Sequence, residues 1–140
     1  YVIKTYEKIV SKNNIKLNFN KVENFKIVGD RDKLIEIFTN LIDNAIKYSE
    51  KNKEVTITFK KEGNLNIVSV ADQGIGIPKE SIHRITERFF TVDPSKSRSV
   101  GGTGLGLAIV KHLVSQHRAE MDINSIQNQG TTIDIKFNAL

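Results

Sequence analysis

Asn40, Asn44, Lys47 and Tyr48 stand at i, i+4, i+7 and i+8, a spacing that puts all four on one face of a helix. Two carboxamides can ligate a hard cation, an ammonium can pair with phosphate, and an aromatic ring can cover a base. The combination points to nucleotide chemistry. Asp72 adds an acceptor-only carboxylate just ahead of Gly74 and Gly76. At the floor of an apolar pocket such a group takes a hydrogen bond from the exocyclic amine of adenine. Each feature also has a plainer structural explanation: a strand-end carboxylate before a turn for Asp72, a residue sealing a pocket rim for Tyr48.

Two familiar phosphate motifs fail on the second glycine-rich stretch. Gly101 to Gly106 has the spacing of a P-loop, but Leu107-Ala108 follows where Lys and Ser or Thr are required. A dinucleotide fingerprint puts Leu107 or Ile109 at its third glycine, and no strand precedes it. What stays is a glycine run opening a helix, whose N-terminal amides attract anions; the alternative is a flexible loop feeding an ordinary helix. Asn44 offers a neutral oxygen to Mg²⁺, an ion that keeps most of its waters and takes few protein ligands. His83, His112 and His117 have no nucleophile or metal cluster arranged around them. His112 and His117 lie near a helix C-terminus, where cationic rings favour the dipole.

The elements that must carry these residues follow from periodicity. Residues 1–12 have the spacing of a helix, stopped at Asn13-Asn14. Alternation predicts strands at 15–20 and 25–28. Asp30 is a good N-cap for a helix running to Tyr48, with Leu34, Ile37, Phe38, Leu41 and Ala45 facing a core. Val55, Ile57 and Phe59 alternate, as do Leu65 and Ile67; with Glu62-Gly63-Asn64 between, they form a hairpin. Residues 78–102 are irregular, with a short helix at 79–87. A helix at 103–117 and strands at 121–126 and 132–137 close the chain. Hairpins predominate, so the fold class is α+β: a two-layer α/β sandwich with a mixed, mostly antiparallel sheet covered on one face by three main helices.

At 140 residues the chain makes one domain, 1–140. It has no cysteine, hence no disulfide and no thiolate metal site, and no apolar run long enough to span a bilayer. The net charge of +5 is spread among acidic residues and does not form a nucleic-acid surface. The start at Tyr1, without Met or signal peptide, points to a piece of a longer protein.

Taken together the motifs resemble the ATP-binding catalytic domain of bacterial sensor histidine kinases, in the superfamily that includes gyrase, Hsp90 and MutL. Asn40-Leu-Ile-Asp-Asn-Ala-Ile-Lys-Tyr48 resembles the N box and Asp72-Gln-Gly-Ile-Gly76 the first glycine box. Phe89-Phe90 resembles the phenylalanine box and Gly102-Thr-Gly-Leu-Gly-Leu107 the second glycine box. The stretches Thr86–Phe90 and Gly104–His112 further resemble phosphate-regulon-type sensors. The resemblance implies the Bergerat-type ATP fold, with ATP and Mg²⁺ as cofactors and a lid over about residues 78–101. It implies Asn44 on Mg²⁺, Lys47 on phosphate and Asp72 on the adenine amine. Tyr48, Gly74, Gly76, Ile77, Gly102, Thr103, Gly104, Leu105, Gly106, Leu107 and Thr131 complete the implied nucleotide contacts. Many relatives carry Arg where Thr91 stands, so the lid cation must come from elsewhere; Arg98 is the candidate, ahead of Lys96. Thr86 stands where many relatives have another Phe.

Asn40 bears on the reaction. Hydrolysing relatives place a Glu there to activate water, and an amide cannot act as a general base. The implied catalytic set of Asn40, Lys47 and Arg98 therefore suits transfer of the γ-phosphoryl group to a separately supplied histidine. No His-Glu or His-Asp phosphoacceptor motif occurs in the chain. The implied partners are ATP, the parent's dimerisation and phosphotransfer domain and, indirectly, a response regulator. The expected fragment is a monomer that does not autophosphorylate. Its expected parent is a membrane-anchored homodimer with this domain in the cytoplasm. A serine kinase or ATPase of the same superfamily, or a nucleotide-sensing module without catalysis, are the alternatives.

Overall fold

Val55, Ile57 and Phe59 pair across the sheet with Asp72, Val70 and Val68, and the alternation decides which side becomes the core. The coordinates are a computed structural model that describes residues 1–4, 6–7, 15–49, 53–92, 94–95 and 104–139. Five strands, β1 (Lys16–Asn20), β2 (Glu54–Glu62), β3 (Leu65–Asp72), β4 (Glu120–Ile126) and β5 (Gly130–Asn138), lie in the order β1-β2-β3-β5-β4. β1 runs parallel to β2 and every other pairing is antiparallel. The expected mixed, mostly antiparallel sheet is present.

One face of that sheet is apolar. Val55, Ile57, Val68, Val70, Ile135 and Phe137 form a single buried cluster with residues of two helices, α1 (Arg31–Tyr48) and α2 (Gly106–Gln116). The opposite face is polar. Ser69 there donates to the Asp134 carboxylate, and Lys136 pairs with Asp122 at 2.6 Å. Ile67, on the same face but almost fully buried, sits between Lys60 and Lys136 in the register, where long aliphatic stems can cover it.

α1 begins where its cap allows. The Asp30 carboxylate accepts from the Lys33 amide at 3.0 Å, which holds its carboxyl below the usual range. Ile37, Leu41, Ile42, Ala45 and Ile46 are buried along its inner face. This leaves Asn40, Asn44 and Lys47 on a separate flank.

Three expectations are corrected. Phe25–Val28 is not a strand: the Lys26 carbonyl accepts from the Asn66 side chain at 2.7 Å, and Phe25 packs edge-on against Phe59 at 4.9 Å. The alternation there records side-chain packing without a ladder. The short helix in the irregular region is a 3-10 helix over Lys79–Arg84, not a longer turn to residue 87. α2 starts at Gly106 and not at 103, because Gly104 takes a φ of 73°, which no right-handed helix accommodates.

A further finding concerns His117. Its Nε2 accepts from the Asp30 amide at 3.1 Å while Nδ1 lies 2.8 Å from the Leu113 carbonyl oxygen. Through these two contacts His117 clasps the end of α2 to the start of α1, a structural role beyond the helix-dipole one expected. Gly29 makes room for it, since a Cβ there would meet the ring at 2.6 Å. Of the helix expected at 1–12, residues 2–4 and 6–7 are helical and Tyr6 is buried; residues 5 and 8–14 lie outside the described ones. No described helix is long and apolar enough to cross a membrane.

Candidate nucleotide-binding site

Asp72 ends β3 on the apolar face of the sheet, opposite Thr131 of β5. Its Oδ1 accepts from the Gly74 amide at 2.9 Å and from the Thr131 amide at 3.2 Å. Among the described residues every hydrogen bond to the Asp72 carboxylate ends on Oδ1, which leaves Oδ2 available. Burial pushes its carboxyl above the usual range, and the two amides counteract that only in part.

Glycines brace this corner. A Cβ on Gly74 would lie 2.1 Å from the Tyr48 carbonyl oxygen, and one on Gly76, at φ 67°, would lie 2.2 Å from that of Ile126. The Ile75 amide donates to the Tyr48 carbonyl at 3.3 Å and the Asn128 amide to the Ile75 carbonyl at 2.7 Å. The segment after β3 is thus wedged between the end of α1 and the β4–β5 turn. Behind it the Ile77 amide donates to Ser125 Oγ at 2.8 Å, and Ser125 meets Thr131 Oγ1 at 2.7 Å. Gly74 and Gly76 therefore serve close packing of backbone on backbone.

A cavity of about 340 Å³ opens in front of Asp72. Asn40, Asn44, Lys47 and Tyr48 line it from α1, as the helical spacing predicts. Gly76 and Ile77 line it from the turn, Gly104, Leu105, Gly106 and Leu107 from the start of α2, and Thr131 from β5. Gly74 stands behind the wall. Gly102, Thr103, Lys96 and Arg98 lie outside the described residues.

The two carboxamides face the start of α2. A Cβ on Gly106 would lie 3.5 Å from Asn40 Oδ1 and 3.6 Å from Asn44 Nδ2, so the absent side chain keeps this corner open. The Asn40 amide nitrogen is tied to the Glu36 carbonyl at 2.9 Å, which leaves its oxygen outward. Asn44 forms no side-chain hydrogen bond among the described residues. Leu105 gives α2 no side-chain cap, and the positive end of the helix dipole points at the same corner. A free carboxamide, a second amide oxygen and a helix N-terminus are a donor set suited to a cation-bound phosphate chain.

Several lining residues escape sequence reasoning. Asp43 pairs with Lys47 at 2.8 Å; the i, i+4 spacing was the available signal. Ile133 follows Thr131 on the same face of β5 and was legible from alternation. Ile75, Ile85, Val92 and Ile109 give no signal beyond hydrophobicity. Phe90 also lines the cavity, with the Arg84 guanidinium 4.5 Å from its ring centroid. Phe89 points out, 74% exposed, at φ 65°. Its amide donates to the Gly104 carbonyl at 2.9 Å, and a Cβ on Gly104 would lie 2.8 Å from Phe89 Cα. That contact joins the phenylalanine pair to the second glycine box.

Residues 29–139 match the histidine kinase-, DNA gyrase B- and HSP90-like ATPase family. The chain belongs to this family. Its relatives within the family include the sensor histidine kinase WalK of Bacillus subtilis, 44% identical over 74% of this chain and 17% of WalK. The phosphate regulon sensor protein PhoR of Pseudomonas aeruginosa is 40% identical over 80% of the chain and 25% of PhoR. The chain thus spans a quarter or less of these two proteins. Among solved structures, the catalytic domain of histidine kinase ThkA superposes with a TM-score of 0.83 at 27% identity, covering 98% of this chain and 87% of that one. The mycobacterial sensor histidine kinase MprB gives 0.81 at 29% identity, covering 98% and 91%. The fold is that of histidine kinase catalytic domains.

Proposed function

We propose that this domain binds Mg·ATP in the cavity between α1, α2 and the end of β3, and donates the γ-phosphoryl group to a histidine on a separate dimerisation domain of a parent sensor kinase. The observation that carries the reading is that Asp72, whose Oδ2 takes no hydrogen bond among the described residues, lines one cavity together with the Asn40 and Asn44 carboxamides, which sit beside the start of α2.

Asp72 would accept from the adenine amine, and Ile77, Leu107 and Ile133 would flank the ring plane. Tyr48 would cover the base or sugar. Asn44 would contribute an oxygen to Mg²⁺, with phosphate oxygens and water completing the shell; bound there, the ion would neutralise charge on the transferring phosphates. Lys47 and the N-terminal amides of α2 would orient the phosphate chain, and Arg98 would supply the lid cation. The acceptor nitrogen attacks the γ-phosphorus, the bond to the bridging oxygen breaks, and ADP departs.

Asn40 supports transfer over hydrolysis. With its nitrogen bonded to Glu36 and its oxygen toward Gly106, the side chain can orient ligands but cannot take a proton from water. The parent would be a membrane-anchored homodimer with this domain in the cytoplasm, working through a response regulator.

The test is to mix the domain with the parent's dimerisation hairpin and γ-labelled Mg·ATP. The expected product is acid-labile label on the hairpin histidine, with none on His83, His112 or His117. Rapid steady-state phosphate release with an unlabelled hairpin would favour an ATPase instead.

A further inference from the structure

Asp43 and Lys47 form an ion pair at 2.8 Å, one helical turn apart, and both line the cavity. Their side chains keep 39% and 31% exposure, so the pair sits at the mouth, neither buried nor fully solvated. Among the described lining residues Lys47 is the one cation, while Asp43 and Asp72 are both carboxylates. Asp72 is drawn back into the corner at the end of β3. Asp43 directly precedes Asn44, the residue whose carboxamide forms no hydrogen bond among the described residues. The negative charge of Asp43 is also felt on the far flank of α1, where burial first and then Asp43 push the Tyr6 hydroxyl up.

We infer that Asp43 makes this site select metal-complexed over metal-free nucleotide by occupying the Lys47 ammonium and placing a carboxylate beside Asn44. The inference rests on the nucleotide reading above. A triphosphate without metal carries about four negative charges at neutral pH and meets a lysine already paired, together with a like charge at close range. The Mg²⁺ complex carries roughly half that charge and brings its cation toward Asn44, where the neighbouring carboxylate attracts it. The same residue thus opposes one form of the ligand and favours the other. A partly exposed i, i+4 pair contributes little to folding, so removing the carboxylate leaves the domain intact.

The experiment is calorimetric titration with a non-hydrolysable ATP analogue, in excess Mg²⁺ and in excess chelator, on wild type, Asp43→Asn and Asp43→Glu. Asp43→Asn should tighten metal-free binding by about fivefold to tenfold and leave the Mg²⁺ complex within about twofold, because the freed Lys47 ammonium offsets the lost attraction for the cation. Asp43→Glu should restore the wild-type preference for the complex. Asp43→Ser should repeat the Asn result should melting show that the Asn protein is unfolded. Metal-free affinity that is unchanged or lower in the neutral variants overturns the inference while the nucleotide reading stands. Loss of the Mg²⁺ complex alone also overturns it, since Asp43 would then be acting as a direct metal ligand. A wild-type domain that binds neither form removes both.

Discussion

The Thr131 amide donates to Asp72 Oδ1 at 3.2 Å across the β3–β5 ladder. This bond fixes the orientation of the carboxylate from a strand remote in sequence. With Gly74 holding the same oxygen, one face of Asp72 is spent on the fold and the other is presented to the cavity. In the proposed nucleotide reading, a single residue would thereby link the geometry of the sheet to ligand recognition.

The pH dependence of binding follows from that environment. Burial raises the Asp72 carboxyl above its ordinary value of 3.8. Affinity for adenine nucleotides should therefore fall on acidification at a higher pH than an ordinary carboxylate would dictate. The sign for stability is opposite. The folded state binds this proton more tightly than the unfolded chain, so the Asp72 contribution to stability declines as pH rises from 3.8 through the raised value. Titrations of affinity and of melting temperature, each compared with Asp72→Asn, separate the two effects; parallel curves for both proteins would contradict them.

Gly106→Ala tests the open corner at the start of α2. A Cβ there meets Asn40 and Asn44 at 3.5–3.7 Å, ordinary contact distances. The fold should tolerate it, with stability unchanged or raised by up to about 1 kcal/mol from the helix preference for Ala. Nucleotide affinity should drop by about tenfold as the methyl group enters the phosphate corner. Retained affinity would show that the phosphates lie elsewhere.

Gly74→Ala should behave in the reverse manner. Its Cβ would sit 2.1 Å from the Tyr48 carbonyl oxygen, an approach the backbone cannot absorb without moving the end of α1. A loss of about 2–4 kcal/mol is expected in denaturant melts. A variant as stable as wild type would mean that the wedge between α1 and the β4–β5 turn is loose.

Much of this was legible in the sequence, for identifiable reasons. α1 was readable because Asp30 caps it, its apolar residues recur at core spacing, and Asn40, Asn44, Lys47 and Tyr48 cannot all be accommodated inward. β2, β3 and β5 were readable because burial on one face imposes alternation. Phe25 and Ile27 alternate equally well yet form no strand, since periodicity reports which side chains are buried and not whether backbone groups are paired. The clasp by His117 was not legible because its partner, the Asp30 amide, is remote in sequence. Glycine roles were only half readable: a sequence shows where a Cβ is absent, while the structure shows that Tyr48 and Ile126 occupy the space behind Gly74 and Gly76. Asp43 was overlooked because its charge is ordinary for a helix surface, and its place at the cavity mouth depends on where α2 begins.

The central claim is that Asp72 anchors adenine in the cavity between α1 and α2. Calorimetric titration of wild type and Asp72→Asn with an ATP analogue and Mg²⁺ tests it most directly. The account predicts a loss of about 1.5–3 kcal/mol in binding free energy, the worth of a hydrogen bond to a charged group, with no loss of folding stability because a partly desolvated charge has been removed. Undiminished binding by Asp72→Asn would contradict it.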